Sequence, residues 1–217
     1  MLLAPHIRVS WLHIMNDHIV LFGGTFDPVH IGHTAVAAYA AAQLRADRVV
    51  FIPARRSPHK HLQPIASGED RMEMLRLATA GCEMFEVSDC ELRREEPSYT
   101  LDTVLFFRNR FGRTPRLYWL IGADMIIDLP RWHRVGDLLE ECTVCVMRRG
   151  GYAEPSFENV RSLGQERLEY LASNVIETPS LDINSSEIRR RLGSGQSVTG
   201  LLCPAVVDYI EKMGLYR

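Results

Sequence analysis

Short apolar runs separated by helix-length stretches constrain this chain more than any other feature. His18–Phe22 (HIVLF), Arg48–Pro53 (RVVFIP), Leu117–Ile121 (LYWLI) and Cys142–Met147 (CTVCVM) read as buried strands, and Phe85–Leu92 alternates apolar and polar residues as a further one. His33–Leu44, Glu69–Ala80 and Tyr99–Phe111 read as helices. In the first, six alanines (Ala35, Ala37, Ala38, Ala40, Ala41, Ala42) would let the helix lie close against a sheet. Strands alternating with helices at this spacing predict an α/β fold, a Rossmann-like, doubly wound, mostly parallel sheet with helices on both faces. A small helical C-terminal part follows: Val175–Glu177 as a last strand, then helices over Ser185–Leu192 and Ala205–Met213, the second opened by Pro204 and closed by Gly214. With no internal repeat and no low-complexity linker, residues 15–217 are expected to form a single domain. Residues 1–14 (MLLAPHIRVSWLHI) read as a loose N-terminal extension before Met15, where a compact first strand can begin.

Charge and cysteine usage narrow the class. A net charge of −2 shows no broad electrostatic footprint for nucleic acid or an anionic membrane. No apolar run reaches the roughly 20 residues of a spanning helix, and residues 1–14 are too broken by polar groups for a secretory signal. Neither a nucleic-acid nor a membrane partner is therefore expected. Of five cysteines, Cys142 and Cys145 form a C-x-x-C inside a β-like run. They read as buried strand thiols, since the redox or zinc alternative has no second ligand pair. A reducing cytoplasm suits such thiols.

The stretch most able to carry chemistry is Gly23–His33, GGTFDPVHIGH, which links the first strand to the first helix. It is neither G-x-G-x-x-G nor a Walker loop. Glycines after a strand let backbone N–H groups approach phosphate oxygens, and the helix N-terminus adds positive potential. His30 and His33 sit one helical turn apart, with Gly32 between them leaving room for a ligand, so both rings can face one group. Imidazoles there suit charge developing on a transferring phosphoryl group. The alternatives are a metal pair, which lacks a third ligand, and two helix-cap histidines.

Three further groups merit attention. Arg55, Arg56, His59, Lys60 and His61 form a dense positive cluster after the second strand, able to bind phosphates or simply to be a solvated loop. Asp124 follows Gly122 at the end of a strand, where a carboxylate can hold ribose hydroxyls or cap a helix. Trp132 lies in a polar stretch, Pro-Arg-Trp-His-Arg, where a core tryptophan is less expected and stacking on a base is plausible.

Taken together these motifs resemble the nucleotidyltransferase superfamily with the H-x-G-H motif, in the version found in bacterial nicotinate mononucleotide adenylyltransferases. Pro53–Lys60 resembles the family's basic loop, Ser98–Thr103 (SYTLDT) its S-Y-T-x-x-T element, Ile121–Asp124 with Leu129 and Trp132 its G-x-D-x-x-x-x-L-x-x-W run, and Ile183–Arg189 (INSSEIR) its I-S-S-T-x-I-R motif. Asn184 stands for the usual first serine and Ser186 for the threonine, both still able to hydrogen-bond.

The resemblance implies an enzyme that joins ATP to nicotinate mononucleotide, giving deamido-NAD and pyrophosphate. It assigns His30, His33, Lys60 and Arg189 to catalysis. Gly23, Gly24, Thr25, Phe26, Gly32, Ile183, Ser185 and Ser186, with His30, His33 and Arg189, bind ATP. Lys60, Thr100, Asp124 and Trp132 hold the mononucleotide. Mg²⁺ is carried by phosphates with no protein ligand set. Class I aminoacyl-tRNA synthetases share the letters HIGH but need a lysine loop, and this chain has only Lys60 and Lys212. An adenylyltransferase acting on pantetheine phosphate or nicotinamide mononucleotide, and a nucleotide-sensing module without turnover, remain as rivals.

Overall fold

A computed structural model describes residues 17–56, 63–149 and 155–217. Six strands form one sheet: β1 (His18–Gly24), β2 (Arg48–Pro53), β3 (Phe85–Val87), β4 (Arg116–Gly122), β5 (Thr143–Arg149) and β6 (Val175–Thr178). Their order is β3-β2-β1-β4-β5-β6, and every pairing is parallel. The expected doubly wound sheet is thus present, and wholly parallel. The chain reverses its winding direction between β1 and β4, and at such a switch point the strand ends splay to leave a crevice.

Side-chain alternation in β1 shows how both faces are filled. Val20 and Phe22 enter one apolar core, Ile19 and Leu21 the other. The first core is covered by α1 (Ile31–Leu44), α2 (Gly68–Thr79), α6 (Ser185–Gly193) and α7 (Pro204–Met213). The second is covered by α3 (Thr100–Phe111), α4 (Val135–Glu141) and α5 (Gln165–Ser173). In α1, Ala37, Ala40 and Ala41 are fully buried, as expected of an alanine face lying close to a sheet. Only Cys145 is a strand thiol, facing the first core from β5; Cys142 caps the end of α4 one residue before that strand and faces the second core, and both are buried and free. Burial raises both thiol pKa values, Cys145 to about 12.

Several expectations differ from the structure. β3 stops at Val87 rather than Leu92: Ser88 N–H still bonds Phe51 O (2.9 Å), after which the chain turns and buries Cys90 and Glu91. The polar–apolar alternation of residues 85–92 therefore reflects a packed turn. Helices α4 and α5, and 3-10 turns at Ala123–Ile127, Leu129–Arg131 and Glu158–Leu163, are too short for a clear helical period. Residues 1–14 lie outside the described residues.

Candidate active site

The loop after β1 is shaped by what its glycines touch. A Cβ at Gly23 would sit 2.6 Å from the Trp119 indole, and one at Gly24 would sit 2.8 Å from the Phe26 ring. Neither position can take a larger residue without moving a ring. Phe26 adopts a left-handed backbone (φ 50°) and is buried, its ring edge-on to Phe22, Phe51 and His33 at centroid distances of 5.5, 5.9 and 5.0 Å. Packing of that ring holds a conformation that bulky residues otherwise avoid. Below the loop the buried Arg71 of α2 donates through Nη1 to Thr25 O and Ala54 O, both at 2.8 Å, tying the ends of β1 and β2 together.

Asp27 fixes the next step. Its buried carboxylate accepts from Ile65 N (2.8 Å), Ala66 N (3.1 Å) and Tyr216 Oη (2.7 Å). Burial lowers the pKa of Arg71 and the charge of Asp27 acts to raise it. The Asp27–Pro28 peptide is cis.

The chain then enters α1 through its histidines. His30 is the N-cap, extended at φ −138° and ψ 168°. Its backbone N–H donates to His33 Nδ1 (3.2 Å), and the two rings stack with centroids 3.6 Å apart and planes at 25°. With Nδ1 accepting, a neutral His33 ring carries its proton on Nε2, a donor for an anion. A Cβ at Gly32 would sit 3.0 Å from His30 Nδ1 and 3.8 Å from Ile183 Cβ, so glycine permits both the ring stack and the approach of the chain before α6.

Helix α6 points its N-terminus at the same space. Asn184 caps it, Oδ1 accepting from Glu187 N (2.8 Å). The departure from serine thus preserves the cap. Ser185 Oγ donates to Pro28 O (3.0 Å), and Arg189 donates through Nη1 to Asp27 O (2.6 Å) and through Nη2 to Ser186 Oγ (3.2 Å). Glu187 is held at a pKa of about 2 by hydrogen bonds from Arg190 and Arg191, which keeps that ion pair on the solvent side of the helix. Two helix N-termini, two imidazoles and a guanidinium therefore converge on one cleft, the pattern of an anion site.

The cleft has a volume of about 1050 Å³ and opens beyond the carboxyl ends of β1, β4, β5 and β6. Twelve of the expected residues line it: Gly23, Gly24, Thr25, Phe26, His30, Gly32, His33, Asp124, Ile183, Ser185, Ser186 and Arg189.

With this geometry in place, comparison with known proteins is decisive. Residues 21–191 match the cytidylyltransferase-like family model. A Moorella thermoacetica protein described as "Probable nicotinate-nucleotide adenylyltransferase" is 39% identical over 201 residues, covering 91% of this chain and 90% of its own. A Rhodopirellula baltica protein of the same description is 36% identical, with 93% and 94% covered. The chain belongs to the nicotinate-nucleotide adenylyltransferase family. The fold is shared with a solved structure, Plasmodium falciparum nicotinic acid mononucleotide adenylyltransferase complexed with NaAD, at TM-score 0.70 and 20% identity over 92% of this chain and 97% of that one.

The other expected residues of this adenylyltransferase family member lie elsewhere. Lys60 is outside the described residues, as are His59 and His61. Thr100 begins α3 and Trp132 follows a 3-10 turn, and neither lines the cleft. Trp132 is buried in the second core beside Leu129 and Val135, while Arg131, His133 and Arg134 are exposed. Its apolar partners recur every three residues, a short period that the intervening charges hide. Asp124 is exposed, inside the 3-10 turn that Gly122 caps; a Cβ on Gly122 would run into its carboxylate, so the side chain folds back over the glycine.

The S-Y-T element is anchored instead to its neighbours. Ser98 Oγ accepts from Arg55 N (3.2 Å), the Tyr99 ring stacks on His133 at 4.3 Å, and Thr103 Oγ1 donates to Glu91 Oε1 (2.6 Å) while accepting from Arg94 Nη2 (2.9 Å). Sequence reasoning missed Asp27 as a bonding centre, Arg71, Tyr216, and Arg148, which lines the cleft at the end of β5 and pairs with Glu177. Only Arg148 had a readable signal, a cation following a strand's carboxyl end.

Proposed function

We infer that this protein transfers the adenylyl group of ATP to nicotinate mononucleotide, forming deamido-NAD (nicotinate adenine dinucleotide) and pyrophosphate, a step of NAD biosynthesis. The observation that carries this reading is the convergence of the His30–His33 stack and Arg189 on one cleft at the switch point between β1 and β4. The names of its relatives support the acceptor. A phosphate oxygen of the mononucleotide attacks the α-phosphorus of ATP, the bond to the bridging α–β oxygen breaks, and pyrophosphate leaves with the electron pair. No side-chain nucleophile is required, so alignment and charge stabilisation supply the catalysis.

Gly23, Gly24, Thr25 and Phe26 form the loop around the nucleotide, with Gly32, Ile183, Ser185 and Ser186 along the triphosphate. His30 and His33 donate to oxygens of the transferring phosphate, and Arg189 and Lys60 neutralise them. Lys60, Thr100, Asp124 and Trp132 hold the mononucleotide. Trp132 stacks on the pyridine ring once the 129–135 segment turns it towards the cleft.

A divalent cation, Mg²⁺ in our reading, fits the donor set if phosphates carry it. Among the described residues no group of three or more His, Cys, Asp or Glu could hold a metal. Of the two carboxylates lining the cleft, Asp27 already accepts three hydrogen bonds. Bound to phosphate oxygens, the ion would neutralise charge on the leaving group. The substrates place the enzyme in the cytoplasm, where five free thiols stay reduced. Among the described residues no helix is long and apolar enough to cross a membrane.

Pyrophosphate release with ATP, Mg²⁺ and either nicotinate or nicotinamide mononucleotide tests the reading. Turnover is expected with the nicotinate acceptor. No product from either acceptor overturns the activity, and preference for nicotinamide overturns the substrate.

A further inference from the structure

We propose that Tyr216 is a positioning residue for the transfer reaction, acting through Asp27 to set the resting place of Arg189. Tyr216 follows α7, far in sequence from the loop after β1. Yet its buried phenol donates to Asp27 Oδ1 at 2.7 Å. The same aspartate offers its backbone oxygen to Arg189 Nη1 at 2.6 Å, and Asp27 Oδ2 lies 4.0 Å from that nitrogen. One residue thus holds the phenol with its side chain and the guanidinium with its main chain.

The bond is directional. Burial, the hydrogen bond to Asp27 and the charge of that carboxylate all raise the Tyr216 pKa, so the phenol keeps its proton and remains the donor. The carboxylate also accepts from Ala66 N, on the oxygen that the phenol bonds, and from Ile65 N on the other oxygen. Removing the phenol hydroxyl leaves Asp27 held from one side only. The peptide presented to Arg189 is then less firmly held, and a displacement of about 1 Å at a phosphate-binding cation is enough to cost turnover.

A second tyrosine provides the contrast. Tyr209 on α7 also donates to a carboxylate, Asp70 Oδ1 at 2.9 Å, and so ties α7 to α2. Asp70 bonds Ser67 at the start of α2, and among the described residues neither lines the cleft. Tyr209 is therefore a fastening of the same chemistry without a route to the site.

The inference rests on the reading of Arg189 as a phosphate-binding residue, and the experiment separates the two. Steady-state kinetics with ATP and nicotinate mononucleotide are measured for Tyr216→Phe, Tyr209→Phe, Arg189→Ala and the Tyr216→Phe/Arg189→Ala pair, well below each melting temperature. Tyr216→Phe is expected to lower kcat roughly ten-fold with both KM values within about two-fold. In the Arg189→Ala background the same change is expected to cost less than about two-fold, because its route is gone. Tyr209→Phe keeps the kcat of the parent although its melting temperature falls. A kcat for Tyr216→Phe within about two-fold of the parent, or an undiminished loss in the Arg189→Ala background, overturns the positioning role alone. Parent-like turnover by Arg189→Ala overturns the reading of Arg189 itself, and the inference with it.

Discussion

The two ends of the cleft are built in different ways. At the phosphate end the site is made mostly of backbone and of contacts between near neighbours: Gly23 under Trp119, Gly24 under Phe26, His30 stacked on His33, Asn184 capping α6. At the acceptor end the expected residues among those described are spread over the start of α3 and the 3-10 turns after β4, and of these only Asp124 lines the cleft. Thr100 begins a helix whose neighbouring Tyr99 stacks on His133, and Trp132 is packed in a core. A phosphate site made from helix ends and glycines is complete before any ligand arrives. A site for a ring made from side chains on several loops is completed only when those loops come together. The difference teaches that, on the proposed assignment of residues, the seat for the triphosphate is already assembled while the wall for the acceptor would have to be completed by movement.

The largest expected effect lies at the phosphate end. His33→Ala removes the donor that the neutral ring carries on Nε2, and the loss of one such preorganised donor costs about 10²–10³ in kcat. The fold should remain intact, with an unchanged near-ultraviolet circular dichroism spectrum. Turnover near the parent value would make His33 a helix-start residue that serves only to bond His30 N–H, and the contrast between the two ends would lose its catalytic meaning.

Legibility in the sequence follows the same division. The strands are readable as short apolar runs, though β3 ends before the run it belongs to, and α1, α2, α3 and α7 are readable because burial on a sheet face imposes a period on ten or more residues, while α6 shows itself by the polar groups at its start. The phosphate end is readable because its demands are local: a glycine where a ring crosses, two histidines one turn apart, hydroxyl or amide groups at a helix start. Trp132 is not readable, because charged neighbours on each side mask a core position. Asp27 and Tyr216 are 189 residues apart. No periodicity or spacing rule joins them, and Arg71 looks like any helical arginine until α2 is seen to pass beneath the loop. Contacts across the fold between single polar side chains are what a lone sequence conceals.

A smaller effect is expected at the acceptor end, and it probes the wall for the acceptor directly. Trp132→Ala would remove a buried aromatic ring at a cost of about 3–5 kcal/mol, too much for clean kinetics. Trp132→Phe keeps most of the packing. It should raise KM for nicotinate mononucleotide roughly ten-fold while leaving KM for ATP unchanged, as loss of a stacking surface in ground and transition states requires. If instead the melting temperature drops and both KM values hold, Trp132 serves the core alone. The acceptor ring must then be bound by other groups.

The smallest effect concerns what anchors that wall. Glu91 is buried beneath the S-Y-T element, and desolvation raises its pKa despite the hydrogen bond from Thr103 and the nearby Arg94 charge. The sign follows from proton counting. Above the ordinary glutamate pKa of about 4.3, the unfolded chain has lost this proton while the folded chain still holds it. The folded state then binds more protons, so this group's contribution to stability is full at low pH and declines as pH rises towards the folded pKa. Glu91→Gln keeps an acceptor for Thr103 Oγ1 and cannot titrate. Urea midpoints followed upward from about pH 4 should therefore fall in the parent relative to the variant. Because Thr103 and Glu91 hold the helix whose first residue is Thr100, the variant should also leave KM for ATP untouched. Parallel midpoint profiles would mean that Glu91 ionises as freely in the fold as outside it, and that the acceptor wall is anchored by a charge rather than by a shared proton.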